Sequence, residues 1–109
     1  AAPPGTYRLG EVLAEAQPDG AVRLPGTPYL AGSALTMDRA VSNVRRFAGI
    51  PLAQALAMAT CQPRLFWPEL PGGLAPGAPA DIVLLRDGER LEVLETIVGG
   101  QTVYRAPNR

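Results

Sequence analysis

The side chains able to do chemistry in this sequence are ten carboxylates, one thiol at Cys61 and ten guanidinium groups, with no His and no Lys anywhere. Without imidazole there is no Ser-His or Cys-His nucleophile pair, no imidazole general base and no imidazole metal ligand. Carboxylate chemistry survives, and it needs paired acids, as in glycoside or metal sites. The acids here are dispersed instead. Asp19 and Asp87 fall in turns, Asp38 at a helix start, and Glu92 and Glu95 along a strand pattern, where an acid has a structural reason to be. Asp81, ahead of an apolar run, is the acid expected to be buried, binding backbone rather than acting as a base. Cys61 has apolar neighbours and no partner for an internal disulfide, so a buried, inert thiol is expected.

Two Gly pairs, Gly72-Gly73 and Gly99-Gly100, are the candidates for phosphate loops. Neither opens a helix after a strand with GxGxxG or Walker-type spacing, so both read as turns. Leu30-Ala31-Gly32-Ser33 is different. Its small residues run into a helix N-terminus, where backbone N–H groups can approach an anion or a sugar oxygen; the alternative is a plain loop and cap.

The elements that must position these residues follow from length and patterning. A 109-residue chain of 11.4 kDa buries roughly 65% of its surface on folding, enough for one modest core. Apolar residues at 47% and charged residues at 18% fit an ordinary soluble domain, while twelve Gly and twelve Pro imply much loop. A net charge of zero, with Arg scattered, gives no footprint for nucleic acid or an anionic membrane surface. The longest apolar stretch, Ile50 to Cys61, contains Gln54 and is too short to span a bilayer, and the Ala-Pro start is no signal peptide, so a cytoplasmic protein is expected.

Tyr7–Leu9, Val12–Ala16 and Ala21–Leu24 read as strands, the last two joined into a hairpin by Gln17-Pro18-Asp19-Gly20. Pro25-Gly26-Thr27-Pro28 is expected to break the ladder. From Ser33 the period becomes helical: Leu35, Met37, Ala40, Val41, Val44, Phe47 and Ala48 share one face. Thr36 or Ser33 can cap this helix, Asp38 and Arg45-Arg46 suit its dipole, and Gly49 suits its C′ position. Pro51 should be the first residue of a second helix, with Leu52, Ala55, Leu56 and Ala59 as its stripe. One more turn over Pro63 to Trp67 would be closed by Pro68 and Pro71. Asp81–Leu85 reads as a strand buried on both faces, and Leu91–Val98 with Gln101–Tyr104 as a hairpin about Gly99-Gly100.

These residues carry a resemblance. Leu30-Ala31-Gly32-Ser33-Ala34-Leu35-Thr36-Met37-Asp38, followed by Ala40-Val41 and Asn43, is similar to the signature of N-acetylglucosamine-6-phosphate deacetylases of the amidohydrolase superfamily. Ala57-Met58-Ala59-Thr60 with Pro63, Gly73-Leu74-Ala75-Pro76-Gly77, Ala80-Asp81-Ile82-Val83-Leu84-Leu85, and the tail Thr96 to Tyr104 resemble the C-terminal end of amidohydrolases generally.

The resemblance implies a metal-dependent (β/α)8 barrel with a small β-sandwich domain. In such enzymes a Glu and two His bind a divalent metal, zinc in the usual case, and an Asp at the end of the last barrel strand activates the metal-bound water. None of those residues is expected here. The chain resembles the C-terminal portion downstream of that Asp, so neither catalytic nor metal-binding residues are assigned to it. Leu30, Ala31 and Gly32 alone fall on a substrate-contacting position, in the loop that closes over the sugar. The expected fold is therefore an α+β fragment. Residues 1–71 would give the hairpin and outer helices of the last part of the barrel, and residues 72–109 the C-terminal strands of the sandwich. The whole enzyme would deacetylate N-acetylglucosamine 6-phosphate in amino-sugar metabolism, as a homodimer; the fragment alone, packed against no barrel, would be inactive. The alternatives are an amidohydrolase acting on another amide, or a non-catalytic packing module.

Overall fold

Short amphipathic segments set the architecture, seen in a computed structural model that describes residues 3–70 and 72–107. Of the expected features, the first residues of the Pro-rich lead-in and the closure by Pro71 lie outside the described residues, while Pro68 lies in the turn after Trp67. The chain divides into two compact units, Ala1–Thr36 and Met37–Arg109.

The first unit is an antiparallel four-stranded sheet in sequence order: β1 (Gly5–Leu9), β2 (Val12–Ala16), β3 (Ala21–Arg23) and β4 (Leu30–Ser33). The hairpin about Pro18-Asp19-Gly20 forms as the turn chemistry requires: Asp19 Oδ1 accepts the Ala21 N–H at 2.9 Å, and the Gly20 N–H donates to the Gln17 carbonyl at 3.0 Å. The Pro25–Pro28 stretch does not end the ladder. It forms a loop that returns the chain alongside β3, and Leu30–Ser33 becomes a strand where a loop and cap were expected. Alternation places Ala14 and Ala16 on the buried face of β2.

The second unit holds two helices and a three-stranded antiparallel sheet. Helix α1 (Met37–Ala48) ends at Gly49, whose φ of +65° supplies the left-handed C′ residue. Helix α2 (Leu52–Ala59) starts one residue later than expected. Pro51 has an extended ψ of 155°, so it caps the helix and its carbonyl accepts the Gln54 and Ala55 N–H groups at 3.1 Å. A 3₁₀ turn, Pro63–Leu65, follows. Strands β5 (Ile82–Arg86), β6 (Glu92–Val98) and β7 (Gln101–Arg105) form a meander with β6 central. The Gly99-Gly100 turn joins β6 to β7 with positive φ at both residues, the geometry that matches strand twist.

The core of this unit is small: Val41, Ala55 and Leu91, with Val44, Ile50, Leu52, Leu56, Ala59 and Leu85 against it. Met37 and Phe47, on the apolar stripe of α1, are 66% and 74% exposed. Strand β5 is an edge strand, not one covered on both faces; Val83 and Leu84 are exposed. The accessible surface is 8443 Å². Leu9, Val12 and Leu13 in the first unit and Phe47, Val83 and Leu84 in the second are about half exposed or more, so apolar area in each unit lacks a covering layer.

Candidate functional site

Leu30, Ala31 and Gly32 lie on β4, and β4 is an edge strand with β3 as its neighbour. Its register pairs Ala21 with Ser33, Val22 with Gly32 and Arg23 with Leu30, which leaves Ala31 as the extra residue of a β-bulge. A bulge on an edge strand redirects the chain and leaves backbone N–H and C=O groups free of the ladder, the donors and acceptors that an amide or hydroxyl of a ligand can use. Leu30 is 67% exposed. Gly32 is not in a left-handed conformation, and a Cβ added there would meet the Val22 Cβ at 3.8 Å, an ordinary contact. A shallow apolar hollow of about 170 Å³ borders Gly32, between Tyr7, Ala14, Ala16 and Val22.

The loop before β4 is tied by its own polar groups. Thr27 Oγ1 donates to the Leu24 carbonyl at 3.0 Å and accepts the Tyr29 N–H at 3.2 Å. The Leu24 N–H donates to the Tyr29 carbonyl at 3.0 Å. Arg23 Nη1 donates to the Pro28 carbonyl at 2.9 Å. After the strand, Ser33 Oγ accepts the Leu35 N–H at 3.1 Å, in the connection rather than at the first turn of α1. Asp38 lies in the first turn of α1 and Arg45 and Arg46 in its last, as the dipole favours. Arg23 and Thr27 carry no motif, so sequence reading passed over them; an Arg ending a strand before a Pro-rich loop is the one local sign.

The acids are engaged elsewhere. Asp81 is exposed, not buried, because β5 lies at a sheet edge; its backbone role holds, since Oδ1 accepts the Gly99 N–H at 2.7 Å. Glu95 accepts from the Thr102 hydroxyl at 2.5 Å and from Arg105 Nη2 at 2.7 Å, and these bonds, Thr102 first, hold its carboxyl below the ordinary glutamate value. Asp87 pairs with Arg45 at 2.6 Å and Glu92 with Arg86 at 3.0 Å. Cys61 is exposed, contrary to expectation, because α2 ends just before it and the 3₁₀ turn leaves it uncovered. Among the described residues no three or more of the Cys, Asp and Glu side chains cluster so as to hold a metal ion. A family metal therefore does not fit the residues described. Also among these residues, no helix is long and apolar enough to cross a membrane.

No family model matches the chain. The N-acetylgalactosamine-6-phosphate deacetylase of Escherichia coli O157:H7 is 37% identical over 102 residues, covering 91% of this chain and 26% of that enzyme. The crystal structure of the N-acetyl-D-glucosamine-6-phosphate deacetylase of Mycobacterium smegmatis superposes with a TM-score of 0.72 at 34% identity, over 94% of this chain and 27% of that one. A variant of that enzyme in complex with N-acetyl-D-glucosamine-6-phosphate gives a TM-score of 0.73 at 32% identity, over 93% of this chain and 27% of that one. The adenine deaminase of Deinococcus deserti is 53% identical over 53 residues, which is 48% of this chain and 10% of the deaminase. The chain thus spans about a quarter of the length of these deacetylases and a tenth of that deaminase.

Proposed function

We propose that the chain is part of an enzyme of the N-acetylglucosamine-6-phosphate deacetylase kind, and that the polypeptide carrying it hydrolyses the acetamide of an N-acetylated amino-sugar 6-phosphate. Water adds to the amide carbonyl, the C–N bond breaks, and acetate and the sugar amine leave. One observation carries this reading: the deacetylases match nearly the whole chain in sequence and structure, both units included. N-acetylglucosamine 6-phosphate is the favoured substrate. The N-acetylgalactosamine epimer is the second, favoured by the name of the Escherichia coli relative.

In this reading residues 1–71 are the hairpin and outer helices of the last part of a (β/α)8 barrel, and residues 72–109 are strands of a small β-sandwich. The exposed apolar stripe of α1 and the exposed faces of β5 support it, since both need a covering layer. A divalent metal, zinc in this proposal, and the catalytic acid belong to other parts of the polypeptide, because the acids described here are dispersed and locally bonded. Leu30, Ala31 and Gly32 contact the sugar through backbone groups, and a cytoplasmic homodimer is the working form. As a separate piece, the 109 residues release no acetate.

The test is acetate release from N-acetylglucosamine 6-phosphate, N-acetylgalactosamine 6-phosphate and, as a deaminase control, ammonia release from adenine. The complete polypeptide should act on an acetylated sugar phosphate and the separate segment on none. Deamination of adenine without deacetylation would assign the polypeptide to the other branch, and turnover by the segment alone would overturn the division of labour.

A further inference from the structure

Because among the described residues β4 pairs with β3 and with no further strand, whatever fixes β4 against β3 fixes where Leu30, Ala31 and Gly32 can meet a ligand. Three cross-strand pairs do this, and the Arg23–Leu30 pair stands beyond the bulge, separated from the other two. Arg23 enters twice. Its backbone lies opposite Leu30, and its guanidinium donates to the Pro28 carbonyl at 2.9 Å, two residues ahead of Leu30. Thr27 fixes the stretch between by bonding both the Leu24 carbonyl and the Tyr29 N–H. The other terminal nitrogen, Nη2, lies 4.0 Å from Asp19 Oδ2 in the β2–β3 turn, so the guanidinium sits between that turn and the Pro28 carbonyl. The side chain is 34% exposed, and hydrogen bonds at such a surface contribute little to folding. Misplacing a substrate contact by about 1 Å can cost up to 10²-fold in rate.

We propose that Arg23 is a positioning residue for substrate binding: its bond to the Pro28 carbonyl holds the bulged edge strand so that the backbone of Leu30–Gly32 meets the amino-sugar phosphate. This rests on the reading of that strand as the substrate-facing segment. Arg23 acts through Pro28 and β4 and does not itself touch the sugar.

The experiment measures KM and kcat for N-acetylglucosamine 6-phosphate in the complete polypeptide with Arg23→Met, Arg23→Lys, Thr27→Val and, as control, Arg8→Met on the far edge strand. Arg23→Met should raise KM about two- to five-fold, the worth of one part-exposed charged contact, with kcat and melting temperature little changed. Arg23→Lys, which keeps a charged donor group, should restore part of the loss, and Thr27→Val should raise KM in the same direction. An unchanged KM in Arg23→Met, or an equal rise in Arg8→Met, overturns the inference while leaving the deacetylase reading intact. If Arg23→Met does not fold, an unchanged KM in Thr27→Val overturns it. An unmodified polypeptide that turns over no acetylated sugar phosphate overturns both.

Discussion

Ser42 Oγ accepts the backbone N–H of Leu91 at 3.0 Å, across 49 positions of sequence, while donating to the Asp38 carbonyl one turn back at 2.9 Å. One hydroxyl thus fastens α1 to the start of β6, beside a core residue that is 5% exposed. Removing it leaves a half-buried donor without its acceptor. Ser42→Ala should cost about 1–2 kcal/mol in urea denaturation, lowering the midpoint without changing the slope. The neighbouring Arg45–Asp87 pair, at 2.6 Å but with Asp87 half exposed, should cost less than about 1 kcal/mol when Arg45 becomes Gln.

Glu95 introduces a pH dependence with a definite sign. The Thr102 hydroxyl and the Arg105 guanidinium hold its carboxyl below the ordinary value of 4.5. The stabilisation is therefore present above that value and lost as pH falls through the lowered one. Melting temperatures of the native protein and Glu95→Gln should differ at neutral pH and converge as pH falls below 4.5. A constant gap across that range would show that the bonds do not discriminate the ionised form.

Gly32 separates folding from recognition. Its backbone is not left-handed and the space beside it accepts a methyl group, so Gly32→Ala should keep its melting temperature. If a ligand approaches that backbone closely, the same variant should raise KM for the acetylated sugar phosphate several-fold. An unchanged KM would move the substrate off this part of β4.

The β6–β7 turn should be sensitive to both of its partners. Gly99 has a φ of +55° and its N–H is held by Asp81 at 2.7 Å. Gly99→Ala and Asp81→Ala should each cost about 1 kcal/mol, by left-handed strain in one case and a lost acceptor in the other. Made together they should add less than their sum, which a double-mutant cycle in urea would measure.

The apolar surface left open on α1 and β5 should make the separate 109-residue chain self-associate. Sedimentation at several concentrations should show a mass rising with concentration and falling when Phe47 is replaced by Glu. A concentration-independent monomer of 11.4 kDa would mean that these faces need no cover.

Local chemistry wrote much of this fold into the sequence. The 3.6-residue period of α1, Gly49 at its end, the Pro18-Asp19-Gly20 turn and Gly99-Gly100 act within a few residues, and each formed as their conformational preferences require. The Leu30-Ala31-Gly32 segment stood out for the same local reason, its small residues. The absence of His likewise limited what chemistry the segment could hold.

Pairing across the chain was not legible in that way. Nothing local makes Leu30–Ser33 a strand; β3 lying alongside does, and the bulge at Ala31 follows from the loop that Arg23 and Thr27 tie. Burial at Cys61, Asp81 and β5 differs from what the sequence predicts for a related reason. Apolar neighbours in sequence indicate what a side chain would gain from cover, whereas cover is supplied by whichever element packs there, and the described units place none over these positions. Sequence alone determined where the chain turns, caps and alternates, because those choices are settled by steric and hydrogen-bonding preferences within a few residues. The tertiary structure decided which edge is free, which residue bulges and which acid meets which donor, because those depend on partners brought together from distant parts of the chain.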